Sequence, residues 1–457
     1  MTSPTTGNPD LKLDSNRIPV TILSGFLGSG KTTLLKYVLE SPDHGRKIAV
    51  IVNDMAELNI DAALVQQSQA STTMNPSIVQ TEREIVSLQN GCICCTLRGD
   101  LIREIARIVK SDEFDYVLIE STGIAEPQQV AQSFCYDPST EQLAASEEEM
   151  LWTQARLDTC VTVVDALSFP LQFGSLQQFS DKYEDGFDNS TPEGVQEGEK
   201  SIANLLIEQV EFANVILLNK VDLVSAEEQD KTIQLIKKLN PGAEIIPTEF
   251  AKIDLKHILD TKCFDMKEAS ESPGWLLSLK NPESSSEVDE YGVGSFVYRS
   301  RKPFHPKKIA KWIDSILHFA NEWKSLSPEQ KDQQSDKKHQ HMIQEYGNIL
   351  RTKGFCWLAG RDTFMIGFAQ SGRIGGLVPI MPWYTLIPKE QWGIIDPKDL
   401  AMIESKFAEP HGDRRQEIVF IGTDLKVDSI REALDSCLLT KKELKHYKFY
   451  NNTGILG

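Results

Sequence analysis

The octapeptide Gly25-Phe26-Leu27-Gly28-Ser29-Gly30-Lys31-Thr32 has the composition and spacing of a phosphate-binding loop. Its glycines let the backbone curl until successive N–H groups face phosphate oxygens, and a helix opening at the end of the loop adds its positive N-terminal end. Lys31 then neutralises β/γ-phosphate charge, and the Thr32 hydroxyl coordinates Mg²⁺. Gly25, Gly28, Ser29, Gly30 and Thr33 complete the expected contacts. The alternative is a glycine-rich turn that fits by chance. Against it stand the apolar run before the loop and the helical pattern after it, which are the context the motif's mechanism demands.

Base choice points to Asn219-Lys220-Val221-Asp222, which closes the apolar run Val215 to Leu218. An Asp222 carboxylate can accept from the guanine N1–H and exocyclic amine, with Asn219 and Lys220 shaping the pocket. Adenine would leave that carboxylate without its donors, which is costly, so GTP/GDP is expected over ATP. The apolar run Tyr116 to Glu120 leads into Ser121-Thr122-Gly123. There Glu120 is the candidate for Mg²⁺ or water contact, and the Gly123 N–H for the γ-phosphate. A purely structural strand-end carboxylate is the alternative. No glutamine is evident where one would orient an attacking water, so slow intrinsic hydrolysis is expected.

A second chemistry is written in Gly91-Cys92-Ile93-Cys94-Cys95. Three soft ligands within four residues suit Zn²⁺, Cu⁺ or a related ion. Neighbouring side chains diverge on a regular strand or helix, so Cys92, Cys94 and Cys95 converge only on an irregular turn, which Gly91 permits. A fourth ligand must come from elsewhere or from solvent. A buried thiol cluster and a redox pair are the alternatives. The cluster falls between Asn53 to Asp61, where a switch loop should lie, and Glu120 to Gly123. A metal held there would favour one nucleotide state, and by reciprocity that state would alter metal affinity. His339 and His341 form a His-x-His pair read as solvated surface histidines, with a secondary metal-loading site as the alternative. His305 reads as structural.

These residues need a scaffold. From about residue 18 to 250, short apolar runs alternate with amphipathic stretches, which predicts parallel strands joined by crossover helices. The predicted strands are Val20 to Ser24, Ile48 to Asn53, Tyr116 to Glu120, Cys160 to Val164, Val215 to Leu218 and Glu244 to Pro247, with a helix near Asp100 to Lys110. Each is apolar on both faces, as a strand covered on both sides should be. The expectation is an α/β fold with a doubly wound, mostly parallel sheet over residues 18–281, after a disordered tail at 1–17. Pro138 to Met150 and the acidic Ser180 to Lys200 read as surface insertions. Pro282 to Glu290 is the predicted linker to a smaller α+β domain at 291–440. That domain carries strand patterns at Ser295 to Ser300, Phe355 to Gly360, Met365 to Gln370 and Glu417 to Gly422, and helical patterns near Pro306 to Phe319 and Val427 to Cys437. Ser325 to His341 reads as a solvated polar insertion.

At 457 residues two domains are the prior. A net charge of -18 argues against nucleic acid as a partner. No uncharged apolar run approaches the roughly eighteen residues of a membrane span. Residues 1–17 lack a signal or transit pattern, so cytoplasm is the default. In a reducing compartment the clustered cysteines, three of eight in the chain, read as metal-binding or catalytic before disulfide.

Together, ILSGFLGSGKTT, the acidic NDMAELNID, NGCICC, ESTGIAEP and NKVD resemble the CobW family of metal-handling GTPases, relatives of UreG and HypB. FVYRSRKPFHP (Phe296 to Pro306), RTKGFCWLAGR (Arg351 to Arg361) and GDRRQEIVFIG (Gly412 to Gly422) resemble CobW C-terminal domains, closest to the zinc-responsive YciC-like branch. The resemblance implies Zn²⁺ at the Cys-x-Cys-Cys element, with Co²⁺ or Ni²⁺ open. It also implies transfer to a client metalloprotein and low, metal-stimulated GTPase activity. It makes Glu57, which matches a switch-loop glutamate of the family, the fourth-ligand candidate, with a solvent-facing acid as the alternative. A homodimer is compatible with the pattern. The other functions weighed are a metal-sensing or buffering protein in which GTP is structural, a cobalt or nickel insertion factor, and a P-loop small-molecule kinase, against which NKVD counts.

Overall fold

The computed structural model describes residues 17–42, 44–54, 85–89, 98–121, 123, 126–132, 134, 154–173, 201–280, 291–319, 328–393 and 397–446. The described residues form two compact units, the first running to Pro273 and the second from Gly274, with Phe173 assigned to the second.

The first unit is built on β1 (Ile18–Ser24), β2 (Ile48–Asp54), β3 (Ile85–Gln89), β4 (Tyr116–Glu120), β5 (Ala155–Asp165), β6 (Val215–Asn219) and β7 (Glu244–Thr248). They lie in the order β3-β2-β4-β1-β5-β6-β7, and every pairing is parallel. Side chains alternate across a strand, so one sequence feeds two cores. Ala49, Ile51, Val117 and Ile119 face one core, which the helix Arg98–Ser111 covers with Leu101, Ile105 and Ile108. Val50, Val52 and Leu118 face the other, covered by Leu34, Leu35 and Val38 of the helix Lys31–Glu40. This is the doubly wound sheet expected from the alternating runs.

The sheet holds one strand more than predicted. Ile85–Gln89 follows a long polar stretch, and its five residues carry too short a pattern to stand out. β5 extends from Cys160 back to Ala155 because Arg156 and Asp158 interrupt its apolar run. Asp158 is fully buried and accepts from Tyr116 Oη at 2.8 Å, Thr261 N at 3.0 Å and Lys262 N at 3.1 Å, with Arg156 Nη1 at 2.9 Å. With that many partners the buried carboxylate has its hydrogen-bonding capacity met. The tail at 1–16, both predicted insertions of this unit and the cysteine cluster lie outside the described residues.

In the second unit β8 (Val293–Ser300), β9 (Asn348–Cys356), β10 (Phe364–Ser371), β11 (Ile374–Pro382) and β12 (Gln416–Thr423) form an antiparallel sheet in the order β11-β10-β9-β12-β8. Alternate residues Phe296, Tyr298, Ile418 and Phe420 face a core shared with Ile309, Trp312 and Ile313 of the helix Pro306–Ile316. Phe296 and Phe420 pair directly across strands, ring centroids 5.0 Å apart. His305 has the structural role expected of it: its Nδ1 accepts from Lys307 N at 3.2 Å and caps this helix, with Pro306 in the first turn.

Three features of this unit differ from expectation. The helix Gly274–Lys280 packs on β8, β9 and β12, so the division falls before it rather than at the linker residues Pro282 to Glu290. The FCWLAG strand is centred earlier, at Asn348–Cys356, and β11 adds a fifth strand whose glycines and prolines masked its pattern. The polar insertion at 325–341 is largely the helix Pro328–Tyr346, anchored by the buried Met342. Over Lys337–Tyr346 most side chains are exposed or half-buried, which suits the polar composition there. His339 and His341 stand two apart on it and so point to different faces, which removes the basis for pairing them as ligands.

Candidate nucleotide site

Parallel pairing brings the carboxyl ends of β1, β4, β5, β6 and β7 to one edge of the sheet, where open α/β sheets bind ligands. Register sets the neighbours. Leu23 lies opposite Glu120, Ser24 opposite Thr162, Asp165 opposite Asn219, and Asn219 opposite Thr248. Ser121 fastens this edge, its N and Oγ both donating to Leu23 O at 2.9 and 3.0 Å.

Gly25 to Gly30 turn from β1 into the helix Lys31–Glu40 through positive φ at Gly25 (136°), Gly28 (77°) and Gly30 (114°). Space as well as φ demands glycine at two of them. A Cβ at Gly25 would sit 2.3 Å from Val163 O, and one at Gly30 2.4 Å from Asn219 Nδ2. The helix itself has no side-chain N-cap and no acid in its first turn. By contrast, the helix Ala226–Leu239 carries a Ser225/Glu228 capping box and two acids there. The uncapped N–H groups and the dipole fit an anion. So does Ser29, 2% exposed, whose hydroxyl has no hydrogen-bond partner among the described residues.

Lys31 is 7% exposed, and its Nζ donates to Gly25 O at 2.7 Å and Phe26 O at 3.2 Å, which holds the ammonium over the loop. Thr32 Oγ1 lies 3.2 Å from Glu120 Oε1. These two hard oxygens, from a helix start and a strand end, are a donor set suited to Mg²⁺. Gly123 comes against the loop: a Cβ there would lie 2.8 Å from Leu27 N.

At the other end of the site, Asn219 is the tie. Its Nδ2 donates to Ser29 O at 2.9 Å, and its Oδ1 accepts from Ala251 N at 2.8 Å and Thr248 Oγ1 at 3.2 Å. One side chain thus joins the phosphate loop to the segment after β7. Lys220 takes φ 63° and reaches back to Asp165, Nζ to Oδ2 2.7 Å. Burial pushes the Asp165 carboxyl up, but Lys220 and the N–H groups of Ser168 and Leu167 outweigh it and hold the group below the usual carboxylate value. The reversal at Lys220 sets Val221–Leu223 in a short 3₁₀ turn, leaving Asp222 exposed. Leu223, next to Asp222 in sequence, and Phe250, next to the Ala251 that Asn219 holds, are also exposed, at 54% and 66%. An exposed apolar group beside an acid, as Leu223 is beside Asp222, suits a flat heterocycle with N–H donors on one edge.

Every expected nucleotide residue on described ground is therefore gathered at this edge: Gly25, Gly28, Ser29, Gly30, Lys31, Thr32, Thr33, Glu120, Gly123, Asn219, Lys220 and Asp222. Sequence reading missed Asp165, Thr248 and Ala251. The available signal was that Asp165 closes an apolar strand just as Asn219 does. Replacing Gly30 by Ala should displace Asn219 and strain φ, lowering GDP affinity about tenfold in a fluorescent-nucleotide titration. An unchanged affinity would contradict the close approach.

Cys92, Cys94, Cys95 and Glu57 lie outside the described residues. Among the described residues no group of three or more His, Cys, Asp or Glu could hold a metal ion, and no helix is long and apolar enough to cross a membrane.

A family profile described as CobW/HypB/UreG, nucleotide-binding domain, matches residues 19–247. A second, described as cobalamin synthesis protein cobW C-terminal domain, matches residues 293–438. The chain is 38% identical over 430 residues to zinc-regulated GTPase metalloprotein activator 1 of Dictyostelium discoideum, covering 94% of this chain and 81% of that one. It is 30% identical over 266 residues to zinc-regulated GTPase metalloprotein activator 1 of Schizosaccharomyces pombe, covering 58% of this chain and 54% of that one. Zinc chaperone CobW of Sinorhizobium sp is 29% identical over 222 residues, covering 47% of this chain and 54% of that one.

Proposed function

The chain belongs to the CobW/HypB/UreG family of nucleotide-binding proteins, and from that premise we propose a GTP-driven metallochaperone that holds Zn²⁺ on Cys92, Cys94 and Cys95 and passes it to a client metalloprotein in the cytoplasm. The protein is a GTPase. The observation that carries the nucleotide reading is the Asn219 tie, which sets the Asp222 turn at a fixed place relative to the Lys31 loop. A nucleotide spanning that gap has its phosphates at Gly25 to Thr33 and its base at Asp222.

Lys31 neutralises charge on the β/γ-phosphates, and Gly123 N–H meets the γ-phosphate. Thr32 and Glu120 hold Mg²⁺, which supplies charge neutralisation to the phosphates when bound. Glu57 is the proposed fourth Zn²⁺ ligand. The metal reading is supported by the softness of three thiolates within four residues and by the zinc in the relatives' names. The cysteines lie in the chain between the switch segment at Asn53 to Asp61 and Gly123, so the γ-phosphate and the metal bias the same segments.

Zn²⁺ affinity measured by calorimetry should then differ about tenfold between the GDP form and the form bound to a non-hydrolysable GTP analogue. Replacing all three cysteines by Ser should abolish the difference along with tight binding. Equal Zn²⁺ affinity in the two forms would sink the coupling and leave GTP a structural role.

A further inference from the structure

One buried amide reaches the proposed γ-phosphate contact from outside the motif residues. Gln209 lies in the helix Ile202–Phe212 and is 1% exposed. Its Nε2 donates to Gly123 O at 3.0 Å, across 86 residues of chain. From another direction Gly123 is closed off by Leu27 of the phosphate loop, as the 2.8 Å approach of a hypothetical Cβ shows.

The helix that carries Gln209 is held at both ends and in the middle. Ser201 Oγ accepts from Asn204 N at 3.1 Å, Thr162 Oγ1 donates to Gln209 O at 2.9 Å, and Asn240 Nδ2 donates to Val210 O at 2.8 Å and Ala213 O at 2.9 Å. Gln209 therefore acts on Gly123 from a fixed platform. Its neighbours Leu205, Leu206 and Val210 are buried and apolar, so an amide at this position carries a desolvation cost that a hydrogen bond must offset. Glycine, for its part, has no Cβ to restrict its dihedrals, so the direction of its peptide must be imposed from outside.

We propose that Gln209 is a positioning residue for γ-phosphate recognition: its amide holds the Gly123 carbonyl, and with Leu27 closing off the Cα this restrains the Gly123 dihedrals that aim its N–H at the γ-phosphate. The inference rests on the reading of Gly123 as a γ-phosphate contact. The consequence is discrimination between GTP and GDP, since GDP lacks the group that Gly123 meets.

The test measures the affinity ratio of a non-hydrolysable GTP analogue to GDP in three variants. Gln209→Met keeps length and removes the donor; the ratio should fall about three- to tenfold while GDP affinity stays within about twofold. Gln209→Glu keeps the shape but donates only when protonated. Its ratio should be low at pH 8 and climb toward the wild-type value as pH falls toward 6, because burial raises a carboxyl's pKa and the protonated form restores the bond. Asp165 lines the same cavity and is held low, so it stays charged over this range; Glu208 and Glu211 lie on the helix of Gln209 itself. The wild-type ratio should not follow that profile. Gly123→Ala separates the two levels of the reading. If it leaves the ratio unchanged, the γ-phosphate assignment of Gly123 fails. If it lowers the ratio while both Gln209 variants match wild type, or lose GTP-analogue and GDP affinity in equal measure with no pH recovery, the positioning role of Gln209 is overturned.

Discussion

Replacing Asp222 by Asn lowers affinity for GTP by about 10² to 10⁴-fold and raises affinity for XTP. In the proposed base site the carboxylate would accept two hydrogen bonds from guanine, each worth about 1.5–3 kcal/mol when the acceptor is charged. Two of them sum to about 3–6 kcal/mol, which at about 1.4 kcal/mol per decade gives the range stated. The substituted amide presents a donor where the carboxylate accepted, so it repels the guanine amine and suits the carbonyl that xanthine carries in its place. Asp222 is exposed on a short turn, and the tie from Asn219 to Ser29 and Ala251 does not involve it. The phosphate loop should therefore be unaffected, and XTP should bind the variant with most of the affinity that GTP shows for the wild type. Competition titrations with GTP, XTP and ATP decide the matter; GTP affinity within about threefold of wild type would remove Asp222 from the base site.

The largest effect on stability is expected in the second unit, at Glu417. This residue of β12 is 2% exposed and gathers three cations: Arg415 Nε at 2.7 Å, Arg299 Nε at 2.9 Å and Lys406 Nζ at 3.2 Å. Removing the acid that these three share among the described residues leaves partly buried positive charges facing one another. Losing one member of a buried pair costs about 3–5 kcal/mol. Arg299 and Arg415 each keep a bond to a carbonyl, Leu279 O and Asp413 O, and the cations are partly solvated, so Glu417→Ala should cost about 2–4 kcal/mol. Urea unfolding followed by tryptophan emission reads it, because Trp357 and Trp383 are fully buried in this unit.

The same site predicts a pH signature. Burial pushes the Glu417 carboxyl up, but Arg415, Lys406 and Arg299 more than reverse this, leaving it below its ordinary value of 4.5. A carboxyl depressed on folding stabilises fully above its unfolded pKa and loses that contribution as pH falls through the folded value. Wild type should therefore lose stability below about pH 4.5 more steeply than Glu417→Ala. Parallel curves would show that the cluster contributes nothing to folding.

The parts of the site legible in the sequence are those whose chemistry is local. Gly25 to Thr32 and Asn219 to Asp222 are contiguous, and their strand contexts follow from apolar runs, so both could be placed on the fold before any coordinate. The alternation of Ala49, Val50, Ile51 and Val52 between two cores is likewise a local pattern. What escaped depends on pairings across long separations. Gln209 meets Gly123 86 residues away, and Lys220 meets Asp165 55 residues away. No spacing rule connects them, since the link exists only once parallel strands align their ends. Strands β3 and β11 and the helix Pro328–Tyr346 escaped for a different reason: short length, glycine and proline content, or a nearly all-polar sequence weakens the periodicity that would announce them.

The strand order also sets a timetable. β1, which launches the phosphate loop, has no sequential neighbour beside it; it lies between β4 and β5. During synthesis the first strand must wait for Asp165 to emerge before both its edges are filled, and the loop must wait for Ala251 before Asn219 can clasp it. At about 5–20 residues per second that interval is on the order of ten to fifty seconds. Through all of it an apolar strand stands ready to pair with the wrong edge, while the ligand that would stabilise the domain has no finished cradle. The order in which the strands are laid down therefore leaves β1 with an open edge until β5 is made, and lets nucleotide stabilise the domain only after Ala251 has been added.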